Sequence, residues 1–385
     1  MSEFRTIREL CSVVVDCPHS TPKWTANGKI VIRNNNIKHG RIDFSSPSYT
    51  DDEHFAQRIK RAKPQPGDII ITREAPIGDV GMIPENTECC LGQRMVLLRA
   101  NQSVCDNFYL LYSLQSLYVQ HQISWSEGTG TTVSNLRIPH LEQIQIPYLP
   151  LEQQAKISSV LRALEEKIEN NRRLNDNLQQ QAMSLYAEMF LNSSDSNVTS
   201  GTLSDIAVIT MGKSPSGSSY NEDGVGEVFY QGRAEFGFRF PKRRLFTTEP
   251  KRMAEAGDVL LSVRAPVGDL NIAYERCCIG RGLGAIHSKT GHSSFVLYTM
   301  FALRSQLDVF NGEGTVFGSI NRDALNAIPI DIPPVTEIDQ FEVAAHPIDE
   351  LIRANYEENC RLEAIRDSLL PKLMSGEIDV SAVQL

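Results

Sequence analysis

The residues that could do chemistry form no recognisable catalytic set. The segment MGKS (Met211–Ser214) resembles the end of a phosphate-binding P-loop, but Ala207 stands where that loop requires its upstream glycine. The glycines of GRGLG (Gly280–Gly284) lack the dinucleotide-binding spacing and predict a turn at the end of a strand. None of the eight histidines is spaced like a metal ligand or paired with a nucleophile. The sequence therefore predicts no catalytic residue and no metal site.

The cysteines and the bulk composition point the same way. Eight cysteines include the vicinal pairs Cys89–Cys90 and Cys277–Cys278 and no C-x-x-C motif, which favours small buried residues over a metal site or a disulfide framework. A length of 385 residues, with 41% hydrophobic and 22% charged residues, is typical of a soluble protein of two or three domains. Without an apolar run of membrane-spanning length or a signal peptide, we expect a cytoplasmic protein with no membrane partner.

Charge is unevenly distributed along the chain. The net charge of −9 speaks against a protein that simply coats nucleic acid. Two segments are nevertheless basic: Arg239–Arg252 has six basic residues against one acidic, and Gln57–Pro64 has four against none. Each segment is either a solvated rim or a binding surface, and composition alone leaves both interpretations open.

An internal repeat organises the elements around these residues. GDIIITREAPIGD (Gly67–Asp79) and GDVLLSVRAPVGD (Gly257–Asp269) share six of thirteen positions, and five more differ conservatively. In both copies the vicinal cysteines and an aromatic helical stretch follow, and then related segments that align at an offset of 184 residues. A repeat of domain size predicts two similar domains rather than a solenoid.

A long amphipathic helix is predicted after each copy. Alternating steps of four and three from Ile157 to Met189 meet apolar residues at eight of ten positions, which is the pattern of a coiled-coil seam. The two polar positions, Asn171 and Asn175, recur as Asn355 and Asn359 at the same offset of 184. Polar residues in an apolar seam fix register and partner at a cost in stability. We expect Pro347 to start a fresh second helix and Pro371 to perturb its end.

These patterns predict an α+β chain in which two similar mixed α/β domains are each followed by a long helix. The two helices are expected to pair as an antiparallel coiled coil with approximate two-fold symmetry. The predicted parts are a first domain at 1–149, a long-helix region at 150–191, a linker at 192–201, a second domain at 202–333 and a distal helical region at 334–385.

With these elements in place, the sequence resembles a specificity subunit of a type I restriction–modification system. The resemblance covers nearly all 385 residues and rests on the duplicated GD…APxGD element, on LPLEQQAKI at the start of the first long helix, and on RDSLLPKLMSGEI at the close of the second. It implies two target-recognition domains that each read one part of a split sequence in double-stranded DNA. The paired helices would set the spacing between them.

The resemblance also implies partners. The chain would be a non-catalytic subunit that docks two methyltransferase subunits, which modify adenine in DNA with S-adenosylmethionine. ATP-dependent restriction subunits, which translocate and cleave DNA, are further candidate partners, and no cofactor is expected on this chain.

A helix over 157–189 would be about 50 Å long, enough to span half-sites one DNA turn (about 34–36 Å) apart.

Within this family resemblance, the side chains expected to contact DNA are polar groups near strand ends, because base edges in the major groove present donors and acceptors. Arg33, Asn34, Asn36, Lys38, Arg41 and Arg73 are predicted in the first domain, and Tyr230, Gln231, Arg233 and Arg264 in the second. Lys242, Arg243 and Arg244 are predicted to neutralise phosphates. The polar loops Thr129–Ser134 and Thr315–Asn321 are further candidates.

One alternative from another class stays open: a coiled-coil scaffold in which two similar domains bind protein partners and the basic segments are incidental. The acidic net charge favours it slightly, whereas the duplicated architecture favours the DNA-recognition hypothesis. A dependence of binding on DNA sequence and on salt discriminates the two.

Overall fold

Two long helices run through a chain that folds as two units. The structure is a computed structural model and describes residues 3–38, 40–125, 135–192, 198–312 and 318–380. Its internal contacts divide the chain into unit 1, Met1–Asn170 with Glu358–Leu385, and unit 2, Asn171–Glu357. The long helices, α6 and α11 below, each contribute residues to both units.

Unit 1 begins with a mixed α/β domain. Its strands are β1 (Glu3–Thr6), β2 (Cys11–Asp16), β3 (Lys29–Ile32), β4 (Ile37–Lys38), β5 (Arg41–Ile42), β6 (Ser48–Thr50), β7 (Ile69–Thr72), β8 (Val80–Met82), β9 (Cys89–Leu91), β10 (Met95–Ala100) and β11 (Gln145–Tyr148). Its helices are α1 (Ile7–Leu10), α2 (Asp52–Arg58), α3 (Asn107–Gln115), α4 (Leu117–Trp125), α5 (Ile138–Gln143) and the first part of α6 (Leu151–Tyr186).

The central sheet of unit 1 is buried on both faces. It is antiparallel in the order β2-β10-β7-β8, and a smaller sheet pairs β3 with β6 and, in parallel, with β9. Because strand side chains alternate, Ile69 and Ile71 pack with the helices, whereas Ile70 packs with the smaller sheet. Burial on two faces explains why the strand sequence is a continuous apolar run rather than an alternating one.

Unit 2 contains the second domain. Its strands are β12 (Thr199–Thr202), β13 (Ala207–Met211), β14 (Tyr220–Asn221), β15 (Glu227–Tyr230), β16 (Phe246–Thr247), β17 (Met253–Ala254), β18 (Val259–Ser262), β19 (Leu270–Ile272), β20 (Cys277–Ile279), β21 (Leu283–Ser288) and β22 (Pro329–Ile332). Its helices are α7 (Leu203–Ile206), α8 (Ser293–Ala302), α9 (Arg304–Asp308), α10 (Arg322–Asn326) and the first part of α11 (Val335–Ser375).

The second domain repeats the central sheet of the first, while its second sheet is longer, in the order β14-β16-β15-β20-β17. Its central antiparallel sheet has the order β13-β21-β18-β19, and β15 pairs in parallel with β20 as β3 does with β9. The vicinal cysteines occupy the matching strands β9 and β20 and are fully buried, and burial raises the pKa of Cys89 and of Cys277 to about 12. The predicted α+β duplication is confirmed, and so is the prediction that these cysteines are core residues.

The two long helices pair antiparallel within each unit. In unit 1, Ile157 and Leu161 share a core with Leu373, and the Asn359 amide lies 3.4 Å from the Ile168 carbonyl. In unit 2, the Asn355 Nδ2 donates to the Asn175 Oδ1 at 2.8 Å. Asn171, Asn175, Asn355 and Asn359 are all buried in the seam, as the four-three pattern predicts. Their role in setting register stays a prediction.

The expectation that Pro347 starts a fresh helix is wrong. The helix α11 runs without interruption from Val335 to Ser375, through both Pro347 and Pro371. A proline inside a helix removes one hydrogen bond, and for Pro347 the carbonyl left without its donor is that of Val343. Val343 is 77% exposed. Water can satisfy that carbonyl, while Phe341 and Ala345 are fully buried on the other face and hold the helix in place.

Candidate nucleic-acid interface

The repeated element builds the same turn in both units. Asp68 accepts a hydrogen bond from the Gln65 backbone N–H at 2.8 Å and pairs with Arg99 at 2.7 Å. Asp258 does the same with the Glu255 N–H at 2.9 Å and with His287 at 2.6 Å. The shared Gly-Asp pair thus ties the turn to the neighbouring strand, which is a structural role in each copy.

The APxGD loop that follows is also held the same way twice. The hydroxyl of Thr72 accepts the Asp79 N–H at 2.9 Å, and the hydroxyl of Ser262 accepts the Asp269 N–H at 3.0 Å. In both copies the Ala–Pro peptide bond is cis. The residues shared by the two copies therefore build the same scaffold. The two copies differ at one adjacent pair of residues, which is Arg73-Glu74 in unit 1 and Val263-Arg264 in unit 2.

Backbone hydrogen bonds join three chain segments at Val263, in the repeated turn of unit 2. Val263 donates to the Gly282 carbonyl at 2.9 Å, and Ile320 donates to the Val263 carbonyl at 3.1 Å. Unit 1 has the matching pair, Arg73 to Arg94 at 2.8 Å and Leu136 to Arg73 at 3.0 Å. In each unit, three segments that are distant in sequence therefore meet at one residue, Val263 in unit 2 and Arg73 in unit 1.

In unit 2 these segments line a cleft of about 720 Å³, which we call the arginine cleft. Its lining includes Arg264, Arg281 and Arg322 together with the exposed polar residues Ser319 and Asn321. No carboxylate pairs with any of the three arginines among the residues that the structure describes. The cleft is therefore a concentrated positive site with hydrogen-bond donors on rigid backbone.

Unit 1 carries different chemistry on the same scaffold. Glu74 takes the place of Arg264, and its carboxylate accepts from Asn135 at 2.6 Å and pairs with Arg94 at 3.1 Å. At the other two arginine positions unit 1 has Gln93 and Ile138. Arg137 stands where unit 2 has Asn321. The corresponding surface of unit 1 is thus a mixed, largely neutralised polar cluster.

Arg73, predicted to contact DNA, is committed to the interior of unit 1. Its guanidinium meets both oxygens of Asp16 at 2.9 Å and donates to the Leu136 carbonyl at 2.8 Å. Only 12% of its side chain is exposed. It occupies the position of buried Val263 in unit 2, so the scaffold turns this residue inward in both copies. The structure therefore assigns Arg73 a structural role, which corrects the prediction.

The other predicted residues of unit 1 divide by burial. Arg33 is exposed, with its guanidinium 5.2 Å from the ring centre of the partly exposed Trp24. Asn34 donates to the Glu74 carbonyl at 2.7 Å, which joins it to the polar cluster, and its buried Oδ1 has no hydrogen-bond partner in the described ranges. Lys38 is exposed and pairs with Asp43 at 2.6 Å.

Asn36 and Arg41, which were also predicted to contact DNA, make contacts within unit 1. Asn36 is only 5% exposed, and its amide bonds the Arg33 N–H at 2.9 Å and the Asp43 carbonyl at 3.0 Å. Because both ends of this amide are used internally, Asn36 shapes the turn rather than reading a ligand, which corrects the prediction. Arg41 pairs with Glu169 of α6 at 2.6 Å and so fastens the domain to the long helix.

In unit 2, Tyr230 is wrongly predicted and the remaining residues are exposed. Tyr230 is 1% exposed, belongs to the core, and burial raises the pKa of its phenol. Gln231 follows it on the surface, where its carbonyl accepts the Gly282 N–H at 3.1 Å beside the arginine cleft. Gln231 occupies the position equivalent to Arg33, since Tyr230 and Ile32 accept matching hydrogen bonds from Gly280 and Gly92.

The basic segment of unit 2 is exposed and mostly paired. Lys242, Arg243 and Arg244 all lie on the surface. Arg243 pairs with Glu275, Arg244 pairs with Glu235 at 2.6 Å and with Glu222 at 3.2 Å, and Arg233 pairs with Asp269. Phosphate contact by these residues stays a prediction. The loop Thr129–Ser134 and residues 315–317 lie outside the described residues.

Two features of the interface escaped sequence reasoning. Arg281 and Arg322 were not predicted, although the repeat alignment contains the signal: they differ in type from Gln93 and Ile138. The second feature is a matched anchor, in which the Tyr112 hydroxyl donates to Glu165 at 3.0 Å in unit 1 and the Tyr298 hydroxyl donates to Asp349 at 2.9 Å in unit 2. Glu165 and Asp349 lie 184 residues apart, at equivalent places on the two long helices.

Two other features are absent from the described part of the chain. No group of three or more His, Cys, Asp or Glu side chains there could hold a metal ion. Within the same ranges, every helix is too short or too polar to span a bilayer.

Comparison with known proteins gives a consistent result for both halves. A model of the type I restriction modification DNA specificity domain matches residues 3–180 and again residues 195–359. The putative type I restriction enzyme MjaX specificity subunit of Methanocaldococcus jannaschii is 28% identical over 400 residues, covering 98% of this chain and 94% of that protein. The MjaIX specificity subunit of the same organism is 24% identical over 346 residues, covering 82% of this chain and 78% of that protein.

A solved structure is similar in fold. The type I restriction-modification system S subunit from M. genitalium covers 96% of this chain and 95% of its own length, with 19% identity and a TM-score of 0.55. The family resemblance read from the duplicated element and the long helices is confirmed by these matches. Since the family model matches most of the chain in two successive copies, the chain belongs to the family of type I restriction modification DNA specificity domains.

Proposed function

We propose that this chain is the sequence-recognition subunit of a type I restriction–modification complex and that its two domains read the two parts of a split DNA sequence. The observation that carries the proposal is the successive match of a DNA specificity domain to residues 3–180 and 195–359. The relatives that match over most of this chain are themselves named as specificity subunits of type I restriction enzymes.

The geometry of the two units supports this function. The same three-segment scaffold presents, in unit 2, arginines that have no carboxylate partner among the described residues and, in unit 1, a Glu74-centred cluster. Two readers that must recognise different half-sequences need a common frame with different hydrogen-bonding groups, because donors and acceptors on base edges carry the sequence information. A protein scaffold with no DNA specificity, the alternative raised by the sequence, gives no reason for such a difference.

The proposal includes partners that supply the chemistry. Two methyltransferase subunits would bind S-adenosylmethionine and modify adenine, and ATP-dependent restriction subunits would join a complete complex. This chain would contribute recognition and spacing and no catalytic group. The predicted cytoplasmic location belongs to the same proposal, because the complex acts on the duplex DNA of the cell.

The decisive experiment is to express the chain with its proposed partner methyltransferase and to map methylated adenines in the host genome. We expect one split motif with a gap of fixed length. Expression of the methyltransferase without this chain is the control and should give no such motif. Methylation without a split motif, or methyl transfer by this chain alone, would contradict the proposal.

Binding to a duplex that carries the mapped motif gives an independent test. If six or more phosphates are contacted, affinity should fall by roughly 10³-fold or more between 50 and 200 mM salt, because bound cations are released from DNA. Fluorescence anisotropy with the purified complex measures this slope. A flat salt response would favour the protein-scaffold alternative.

A further inference from the structure

The three arginines of the cleft have no acidic partner among the residues that the structure describes, whereas several other arginines of unit 2 do. Elsewhere in unit 2, Arg233, Arg239, Arg243, Arg244 and Arg276 each pair with a carboxylate. Arg264, Arg281 and Arg322 line one cleft, and within the described ranges none of them has such a partner. The chain as a whole has a net charge of −9, so a cleft without carboxylates is not a product of bulk composition.

Three like charges in one cleft repel one another, and folding alone gives no reason to gather them. The repulsion is relieved when an acceptor-rich or anionic ligand enters. The cleft also offers the Ser319 hydroxyl and the Asn321 side chain, which can both donate and accept. This combination suits a ligand with several acceptors arranged on one edge.

The arginines are held by a rigid frame. Arg264 directly follows Val263, whose N–H and carbonyl bond Gly282 and Ile320. Arg281 lies next to Gly282, and Arg264 forms a backbone bridge to Ser319. A side chain that starts from a fixed backbone loses less entropy on binding than one on a loose loop, so these arginines are preorganised for specific contacts.

Guanine is the base that matches these donors. Its major-groove edge carries two adjacent acceptors, N7 and O6, and the forked guanidinium of arginine bonds both at once. Phosphates are usually contacted by side chains that position the protein, such as those predicted at Lys242, Arg243 and Arg244. A concave cleft lined by three guanidinium groups next to an amide and a hydroxyl is better suited to base edges than to the open backbone.

We propose that Arg264, Arg281 and Arg322 read guanine bases in one half-sequence of the split DNA target, the half that unit 2 recognises. The inference rests on the proposed function and adds the identity of the bases and of the residues that read them. Unit 1, with Glu74, Gln93 and Ile138 at the equivalent positions, does not read guanine in this way. The guanine contacts from this part of the scaffold should therefore be confined to one side of the gap.

The test uses the full chain in complex with its methyltransferase and a duplex carrying the mapped motif. Each guanine of both half-sequences is replaced in turn by 7-deazaguanine, which removes the N7 acceptor and keeps base pairing. Arg264→Ala, Arg281→Ala and Arg322→Ala should each weaken binding to the natural duplex by roughly 5- to 150-fold. In each variant, 7-deazaguanine at one position should cost no further affinity, whereas the unaltered chain should lose affinity there.

One lysine variant and one control variant at another surface arginine separate base recognition from the effect of charge. Arg264→Lys keeps the charge but replaces the rigid planar fork with a compact ammonium on a flexible stem, so it should weaken guanine discrimination while keeping most of the salt dependence. Arg276→Ala is the control, because Arg276 lies in unit 2, pairs with Glu227 at 2.9 Å and does not line the cleft. It should bind the natural and the modified duplexes like the unaltered chain.

The outcomes separate the two proposals. If the unaltered complex shows no sequence preference, the proposed function fails. Two results would overturn this inference even if the complex recognises a split motif. In the first, the three alanine variants bind like Arg276→Ala. In the second, they lose affinity equally for every duplex and show a smaller salt slope. Coupling to guanines on both sides of the gap overturns it as well.

Discussion

Arg73 and Arg264 show how neighbouring positions of one repeated turn take different roles. Arg73 is fixed by the Asp16 carboxylate and by the carbonyl of Leu136, and 12% of its side chain is exposed. Arg264 stands one position further along the scaffold, exposed at the edge of the arginine cleft. A single step along the chain therefore separates the residue that holds the turn from the residue that can meet a ligand.

This division predicts that substitutions in the Asp16–Arg73 ion pair and at Arg264 affect stability to different extents. Removing one member of a mostly buried ion pair leaves an uncompensated charge, so Asp16→Asn or Arg73→Met should reduce the free energy of unfolding by roughly 3 kcal/mol. Arg264→Ala should change it by less than about 0.5 kcal/mol, because the side chain is exposed and unpaired among the described residues. Urea unfolding followed by circular dichroism measures both. Equal stability of the two sets of variants would contradict the assigned roles.

Residue types in the candidate interface could be read from the sequence, but the directions of the side chains could not. Tyr230 ends strand β15, where its ring enters the core, and Gln231 beside it lies on the surface. Asn34 and Asn36 sit in one short turn, yet only Asn36 uses both ends of its amide internally. Alternation places adjacent residues on opposite faces, and strand ends in the sequence are not sharp enough to say which face is which.

At the scale of elements, the helical seam was the most predictable feature. Its four-three spacing and its matched asparagines follow directly from the sequence, and the structure buries all four asparagines. The continuity of α11 through Pro347 was not predictable, because it depends on buried partners such as Phe341 that the local sequence does not reveal. Tertiary packing here outweighs a local preference worth about 3 kcal/mol.

The bond between Asn175 and Asn355 predicts a characteristic double-mutant cycle. Asn355→Leu alone leaves a buried amide without its donor at 2.8 Å and should cost about 1–3 kcal/mol of unfolding free energy. The double variant Asn175→Leu with Asn355→Leu should recover that loss, because an apolar pair suits the seam. Thermal and urea unfolding of the two single variants and of the double variant give the coupling energy.

The same double variant tests specificity of pairing. Without the polar pair the seam should accept other registers or partners, so the purified chain should show mixed oligomeric states in light scattering. A double variant that is as unstable as either single one, or that keeps one sharp oligomeric state, would show that this asparagine pair does not set register.

At the scale of the whole molecule, duplication organises everything described above. Each of the long helices contributes residues to both units, and each domain fastens to a helix through an equivalent tyrosine–carboxylate bond. The repeat was evident from sequence because domain-sized similarity does not depend on knowing any side-chain direction. The arginine cleft was not, because its three arginines come from segments that only the fold brings together.

Helix length should control the distance between the two half-sequences. Insertion of one heptad into each long helix, after Asn170 and after Glu357, adds about 10 Å at 1.5 Å per residue, or roughly three base pairs at 3.4 Å each. Methylation mapping should then show a gap about three base pairs longer with both half-sequences unchanged. Seven residues inserted directly after Asn192, in the predicted linker and ahead of β12, form the control and should leave the gap as it is. A changed half-sequence would contradict this role of the helices.

The separation of anchors from cleft also has an evolutionary consequence. The contacts that hold each domain, such as Asp68 with Arg99 or Tyr298 with Asp349, involve none of the arginines that line the cleft. Mutations at Arg264, Arg281 or Arg322 can therefore accumulate without loss of foldability. If these arginines read bases as proposed, a substitution at one of these few codons would change the recognition surface and leave intact the frame that carries it.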